Sequence, residues 1–266
     1  MKRAYKNRGG INITLNIIGI GLRGINSITM EMYDVIKKSD LVYFDIYTSI
    51  SPDKTFEDLI KINANTLKAT RDVLENEGPI IERAVTENIT IVVTGDALSA
   101  TTHNQIRRSA IEKGIDVNIY ENASIITAFP SRTGLFIYRF GSIVSMPFTS
   151  DKFFPLSVYD KIYKNYINNM HTLILLDLKD GRTMPINDAL NNLLAMEDKK
   201  HKGLIKEDTL LFAGIKIGSC YEKIYFSNIS KMLELDIEDS PASIIIPAEL
   251  NEIELEFARS FCINVF

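Results

Sequence analysis

The chain has 266 residues, 45% of them hydrophobic and 24% charged, with a formal net charge of -4. That mild acidity argues against a broad basic face for sequence-independent nucleic-acid binding. Two cysteines, Cys220 and Cys262, argue against a disulfide framework or a cysteine-rich zinc site and fit a reducing, intracellular compartment.

The length suits one large domain or two of roughly 130 residues each. The chain opens on a basic segment with Lys2, Arg3, Lys6 and Arg8, which reads either as a solvated terminus or as an electrostatic contact with an acidic or RNA-bearing partner. Gly10, Asn12 and Asn16 interrupt the apolar block that follows, so it does not read as a secretory signal. No apolar run reaches the ~18 residues of a membrane span.

Residues 13–21, ITLNIIGIG, read as a buried strand running into glycines. Residues 27–40 are amphipathic, with Ile28, Met32, Val35 and Ile36 on one helical face. Residues 41–47 form a second strand. Residues 69–85 hold a helix broken near Gly78-Pro79, and 88–95 a third strand. Residues 99–114 read as a helix with Ser99 as N-cap and Gly114 as C-cap, and 116–120 as a fourth strand.

Farther along, 141–148 alternate like a strand, 157–170 are helical, and 171–178, HTLILLDL, are apolar enough for burial on both faces. A helix starts at Pro185 after a Thr183 cap; 208–215 and 243–248 are strands; 251–261 form a closing helix. Alternating strands and helices predict α/β layers around a largely parallel sheet. The quietest break falls after the fourth strand, which divides the chain into two α/β halves of similar size, 1–121 and 122–266.

Two strand-to-helix crossings carry the candidate chemistry. GIGLRG at 19–24 reads either as a tight turn without a ligand or as a loop whose glycines let backbone approach one; its third glycine, Gly24, precedes a delayed helix. TGDALSATTH at 94–103 puts Asp96 outside the carboxyl end of a strand, where ligands collect in open α/β sheets. Asp96 there is either a turn former or a partner for a cationic or hydroxyl-bearing ligand. Asn122 or Ser124 caps the crossing at 122–128, and Asp177 closes another strand. Of the three histidines, His171 reads as structural, His201 lies in a solvated charge run, and His103 reads as a helix passenger.

There is no phosphate-binding loop, HExxH zinc motif, nucleophile elbow or clustered Cys/His. What remains is a site built from several strand ends with apolar and backbone groups prominent, which suits a ligand that brings its own reactivity.

In chain order, IIGIGLRGINSIT, DLVYFDIYTS, GDALSATTH, NASIITA, TGLFIYRFGSIVSMPF, MHTLILLDL, MPINDAL, KIGS and SIIIPAELNEIE span residues 13–254. In this combination the chain resembles the diphthine synthases, within the tetrapyrrole-methylase-like superfamily. The resemblance implies two α/β domains with the cofactor in the cleft between them, a homodimer, and a cytoplasmic enzyme. It implies S-adenosylmethionine as methyl donor and, as acceptor, the modified histidine of translation elongation factor 2.

Carried over by matched position, the donor-binding residues are Leu22, Asp96, Ser99, Ser124, Ile125, Leu176, Ile215 and Ala242. The family usually has alanine at position 215 and histidine at 242, so these two contacts run through backbone atoms. Ala97 replaces the family's usual proline, and AFPSRTG at 128–134 is long, with consequences expected at the pocket rim. No metal and no obligatory catalytic base are implied. Competing readings of the same fold are a cobalamin-pathway tetrapyrrole methylase and a non-catalytic donor-binding protein.

Overall fold

A computed structural model describes residues 13–179, 181–235 and 237–266; the basic residues Lys2, Arg3, Lys6 and Arg8 lie outside them. The chain separates into two compact units, Met1–Ser124 and Ile125–Phe266.

The first unit contains β1 (Thr14–Gly19), α1 (Met30–Lys38), β2 (Leu41–Asp45), α2 (Thr55–Ile62), β3 (Thr66–Ala69), α3 (Arg71–Glu75), α4 (Gly78–Arg83), β4 (Ile89–Val93), α5 (Asn104–Glu112) and β5 (Asp116–Tyr120). Its five strands are ordered β3-β2-β4-β1-β5, and every pairing is parallel. Parallel strands need helical crossovers, and these cover both faces of the sheet. Leu15, Ile17, Leu41, Tyr43, Ile89 and Ile91 pack with Leu74, Ile80, Ile81 and Ile106 on one side. Ile18, Val42, Phe44 and Val92 pack with Met32, Ile36 and Leu59 on the other. This two-sided burial explains why β1, β2 and β4 read as unbroken apolar runs.

The first helix is shorter than the sequence suggests. A 3-10 turn occupies Gly24–Ser27, and α1 begins only after Thr29, whose side chain accepts the N–H of Met32. Val35 and Ile28 pack against the same cluster as Met32 and Ile36, so the amphipathic face extends past the helix itself. Ser99 caps nothing: α5 starts five residues later, with His103 at the N-cap position and no side-chain cap bond. Gly114, just past its end, has φ +75°, as a helix stop requires.

The second unit contains α6 (Ile125–Thr133), β6 (Val144–Met146), α7 (Ser157–Ile167), β7 (Thr172–Leu176), β8 (Leu178–Lys179), β9 (Arg182–Thr183), α8 (Ile186–Lys200), β10 (Leu210–Ile215), β11 (Lys223–Asn228), α9 (Ile229–Leu233), β12 (Ala242–Ile246), α10 (Glu252–Phe261) and β13 (Ile263–Val265). Here the expectation of a largely parallel sheet fails. The order is β13-β11-β10-β12-β7-β6, and the central pairings β11-β10, β10-β12 and β12-β7 are antiparallel. Apolar strands buried on both faces look alike in either direction, so the sequence alone does not separate the two.

One face packs Ile174, Ile244, Leu211 and Ala213 against Tyr159, Ile162, Leu190, Leu193 and Met196. On the other, the Phe212 and Phe226 rings stack with centroids 4.7 Å apart. Gly214 is required there because a Cβ would lie 2.6 Å from Cε2 of Phe129 in α6. The AFPSRTG segment belongs to this helix and its end. Phe129, Pro130 and Thr133 are buried.

Pro185, not Thr183, holds the N-cap position of α8, with no side-chain cap bond; Thr183 pairs in the β8-β9 hairpin. The charge run read as solvated is the end of α8, where His201 takes φ +52° at the C-cap.

Candidate functional site

Because the first sheet is wholly parallel, the loops after β1, β4 and β5 leave the same edge, and hydrogen bonds stitch them together. Gly21 and Gly95 exchange both backbone bonds at 2.9 Å. Asn122 donates its amide to the carbonyls of Gly19 (3.0 Å) and Ser27 (2.9 Å), while its Oδ1 accepts the N–H of Ala123. Asn122 therefore bridges loops rather than capping α6. Gly19 closes the arrangement: a Cβ there would lie 2.6 Å from both the Ala97 nitrogen and the Gly95 carbonyl oxygen.

Asp96 organises the loop after β4. Its Oδ1 accepts the N–H of Leu98 (3.2 Å), the N–H of Ser99 (3.0 Å) and the Ser99 hydroxyl (2.6 Å), and its Oδ2 accepts the N–H of Asn122 (3.1 Å). Partial burial raises its pKa, but these bonds to the ionised form outweigh burial and hold the carboxyl below the ordinary aspartate value. Asp96 is thus a turn former, and the carboxylate stays charged. Leu22, half-buried, sits in the turn following β1, and Ser124, also half-buried, ends the first unit.

The candidates of the second unit form their own group. Ile215 faces Ala242 across β10 and β12, and Ser243 faces Leu175 across β12 and β7. Continuing that antiparallel register by one residue sets Leu176 opposite Ala242. Leu176, Ala242 and Ile215 thus make a row across three neighbouring strands, on the face that packs against the larger apolar cluster. Ile215 is buried, whereas Leu176 and Ala242 are half-buried. Ile125 is the first residue of α6. Asp177, beyond the row, accepts the N–H of Phe148 (3.3 Å) through Oδ2, a loop-fixing bond.

Sequence reasoning missed Asp45 and undervalued His103. Asp45 ends β2 and is 1% exposed; His103 is 0% exposed. Asp45 Oδ2 lies 3.2 Å from His103 Nε2, an ion-pair distance, although the ring N–H is not aimed along a good hydrogen bond to it. Asp45 Oδ1 accepts the N–H groups of Tyr47 (2.7 Å) and Thr48 (2.9 Å), and the Thr48 hydroxyl bonds Oδ2. Burial raises the Asp45 pKa, and the adjacent His103 ring together with the bonds from Thr48 more than reverses it. Asp45 occupies the same topological position as Asp96, a carboxylate at the carboxyl end of a parallel strand, and that was the available signal.

His171 is structural, as its sequence context suggested. Its Nε2 lies 3.0 Å from Glu254 Oε1, its Nδ1 accepts the N–H of Ala248 at 3.0 Å, and Arg139 pairs with the other Glu254 oxygen. Among the described residues no cluster of His, Cys, Asp and Glu is arranged to hold a metal ion, and no helix is long and apolar enough to cross a membrane.

The model of the tetrapyrrole (corrin/porphyrin) methylases matches residues 14–232. A diphthine synthase of Thermoplasma acidophilum is 42% identical over 253 residues, 94% of this chain and 96% of that protein. The chain belongs to the diphthine synthase family of these methylases. Another member, from Methanosphaera stadtmanae, is 33% identical over 91% of this chain and 93% of its own length. A crystal structure of a diphthine synthase matches with a TM-score of 0.85 at 27% identity, covering 94% of this chain and 96% of that one. An Entamoeba histolytica structure matches with a TM-score of 0.85 at 32% identity, covering 94% and 98%.

Proposed function

We propose that the chain is an S-adenosylmethionine-dependent methyltransferase of diphthamide biosynthesis, and that its acceptor is the modified histidine of translation elongation factor 2. The observation that carries this reading is the 42% identity to a diphthine synthase over nearly the whole of both chains. We further propose that it acts in the cytoplasm as a homodimer.

The chemistry of the candidate residues fits the donor. Asp96, Ser99 and Ser124 supply a polar set in the first unit and Leu22 an apolar side chain there, while Ile125, Leu176, Ile215 and Ala242 are apolar residues of the second. An adenine needs apolar walls and backbone hydrogen bonds, which suits the row on β7, β12 and β10. Asp96 Oδ1 is committed to its turn, and among the described residues Oδ2 accepts the N–H of Asn122. That oxygen keeps acceptor capacity for a cationic or hydroxyl group. Ala242 offers no polar side-chain atom, so its share of binding comes from backbone.

When bound, the donor supplies a methyl group on an already activated sulfonium. The protein's remaining task is alignment, which contributes up to ~7–11 kcal/mol. An α-amino acceptor has a pKa of roughly 7.7–8.0, so a useful fraction is unprotonated near neutral pH without a dedicated base. No residue is assigned that role.

The test is mass spectrometry of elongation factor 2 carrying the diphthamide precursor, incubated with enzyme and donor. Mass gains in steps of one methyl group support the reading. An unmodified factor, together with methylation of a porphyrinoid offered in parallel, points to tetrapyrrole methylation instead.

A further inference from the structure

The loop from Thr94 to Thr102 has no regular secondary structure, and its backbone is unusual. Gly95 has φ +83°, and Ala100, which is not a glycine, has φ +57°. A left-handed alanine persists only where its surroundings over-determine it. The loop's first half is fixed by Asp96. Its second half, running from Ser99 to Thr102, is exposed or half-buried and leads into His103, which is wholly buried.

His103 is an anchor for that second half. Its Nδ1 meets the Thr101 hydroxyl, whose oxygen also accepts the His103 backbone N–H at 3.0 Å. The other ring nitrogen, Nε2, lies 3.2 Å from Asp45 Oδ2. Asp45 is in turn held by Tyr47 and Thr48. A second tie joins the same two loops, between the hydroxyls of Ser51 and Thr94. The loops after β2 and β4, adjacent parallel strands, are therefore locked together through buried polar groups. Full burial keeps His103 from touching a substrate, so any influence on catalysis runs through the backbone it holds.

We propose that His103 is a positioning residue: braced by Asp45 and joined to Thr101, it sets the backbone of residues 99–102 and thereby the Asp96–Ser99 turn that contacts the methyl donor. This rests on the donor site assigned above. The role belongs to the ring's polar atoms rather than its bulk, which separates it from ordinary packing.

The test compares the native chain with His103→Gln, His103→Phe and Asp45→Asn, reading the dissociation constant for S-adenosylmethionine by calorimetry, KM for the acceptor protein, and Tm. Phenylalanine keeps a planar aromatic ring and loses the polar link, whereas glutamine retains polar atoms near Asp45. The expected result is a donor Kd raised about tenfold for His103→Phe, with His103→Gln within about threefold of native and acceptor KM unchanged in both. Asp45→Asn keeps the turn's acceptor oxygen, removes the charge, and is expected to weaken the donor by at least about threefold; it serves alone if His103→Phe does not fold. Native donor affinity in His103→Phe or Asp45→Asn overturns the proposal, as does a matching rise in acceptor KM. Failure of the native chain to bind the donor overturns the functional reading, and this inference with it.

Discussion

Asp96 and Asn122 meet at 3.1 Å, the Oδ2 of one accepting the backbone N–H of the other. They lie 26 residues apart, on loops leaving the strands that flank β1 on either side. This single bond makes a carboxylate from GDALS and the start of NASI parts of one structure, and Asn122 extends the connection to the loop after β1.

Removing the Asp96 carboxylate should therefore do more than remove a charge. Asp96→Ala leaves the N–H groups of Leu98, Ser99 and Asn122 without their acceptor. Hydrogen bonds to a charged group are worth ~1.5–3 kcal/mol each, so donor affinity should fall at least about tenfold. Asp96→Asn, which retains one acceptor oxygen, should lose less. Calorimetric titration of both variants with S-adenosylmethionine checks the order.

Gly19 is where the backbone of the loop after β4 crowds the end of β1. Gly19→Ala places a Cβ 2.6 Å from two backbone atoms of the loop after β4. Backbone cannot rotate away as a side-chain tip can, and overpacking of this kind costs roughly 1–3 kcal/mol. A lower Tm and a weaker donor affinity are expected together; an unchanged Tm by calorimetry would show that the loop does not pack as described.

Leu176 tests the apolar row independently. It is half-buried, so Leu176→Ala should cost only modest stability while stripping apolar surface from the proposed adenine wall. A truncation of this size in a ligand pocket corresponds to ~1–3 kcal/mol, or a donor Kd raised some 10-fold or more. Donor affinity equal to the native chain's would remove Leu176 from the site.

Stability in acid should depend on Glu197. Burial raises its pKa, but the Tyr159 hydroxyl at 2.5 Å and the N–H groups of Gly203, Leu204 and Ile205 reverse this and bring it to about 2. A folded-state pKa below the unfolded value of ~4.3 means the stabilisation is complete above that value and is lost as pH falls towards the folded pKa. Glu197→Gln should thus be less stable than the native chain at pH 7 by ~1–3 kcal/mol, with the gap narrowing through the window from about pH 4.3 to 2. Urea unfolding at several pH values measures this; a gap independent of pH would contradict the assignment.

The first unit was the more legible. β1, β2 and β4 are apolar throughout because helices cover both faces, and the break in the helix before Gly78-Pro79 follows from backbone chemistry. β3 escaped because TLKA buries only its two end residues. β11, KIYFSN, escaped because its burial is intermittent and its start follows a polar loop. At the site, Asp96 was visible as a carboxylate after a strand, but Asp45 with His103 was not. The two are 58 positions apart in the sequence, and only the adjacency of β2 and β4 brings them together. The row of Leu176, Ala242 and Ile215 likewise needs antiparallel register, which apolar strands do not reveal.

The central claim is methyl transfer to elongation factor 2, and intact-mass analysis of the precursor-bearing factor tests it most directly. With enzyme and S-adenosylmethionine present, the factor should gain mass in steps of about 14 Da at its modified histidine, each step one methyl group replacing a proton; no gain, from an enzyme that binds the donor, would contradict the account.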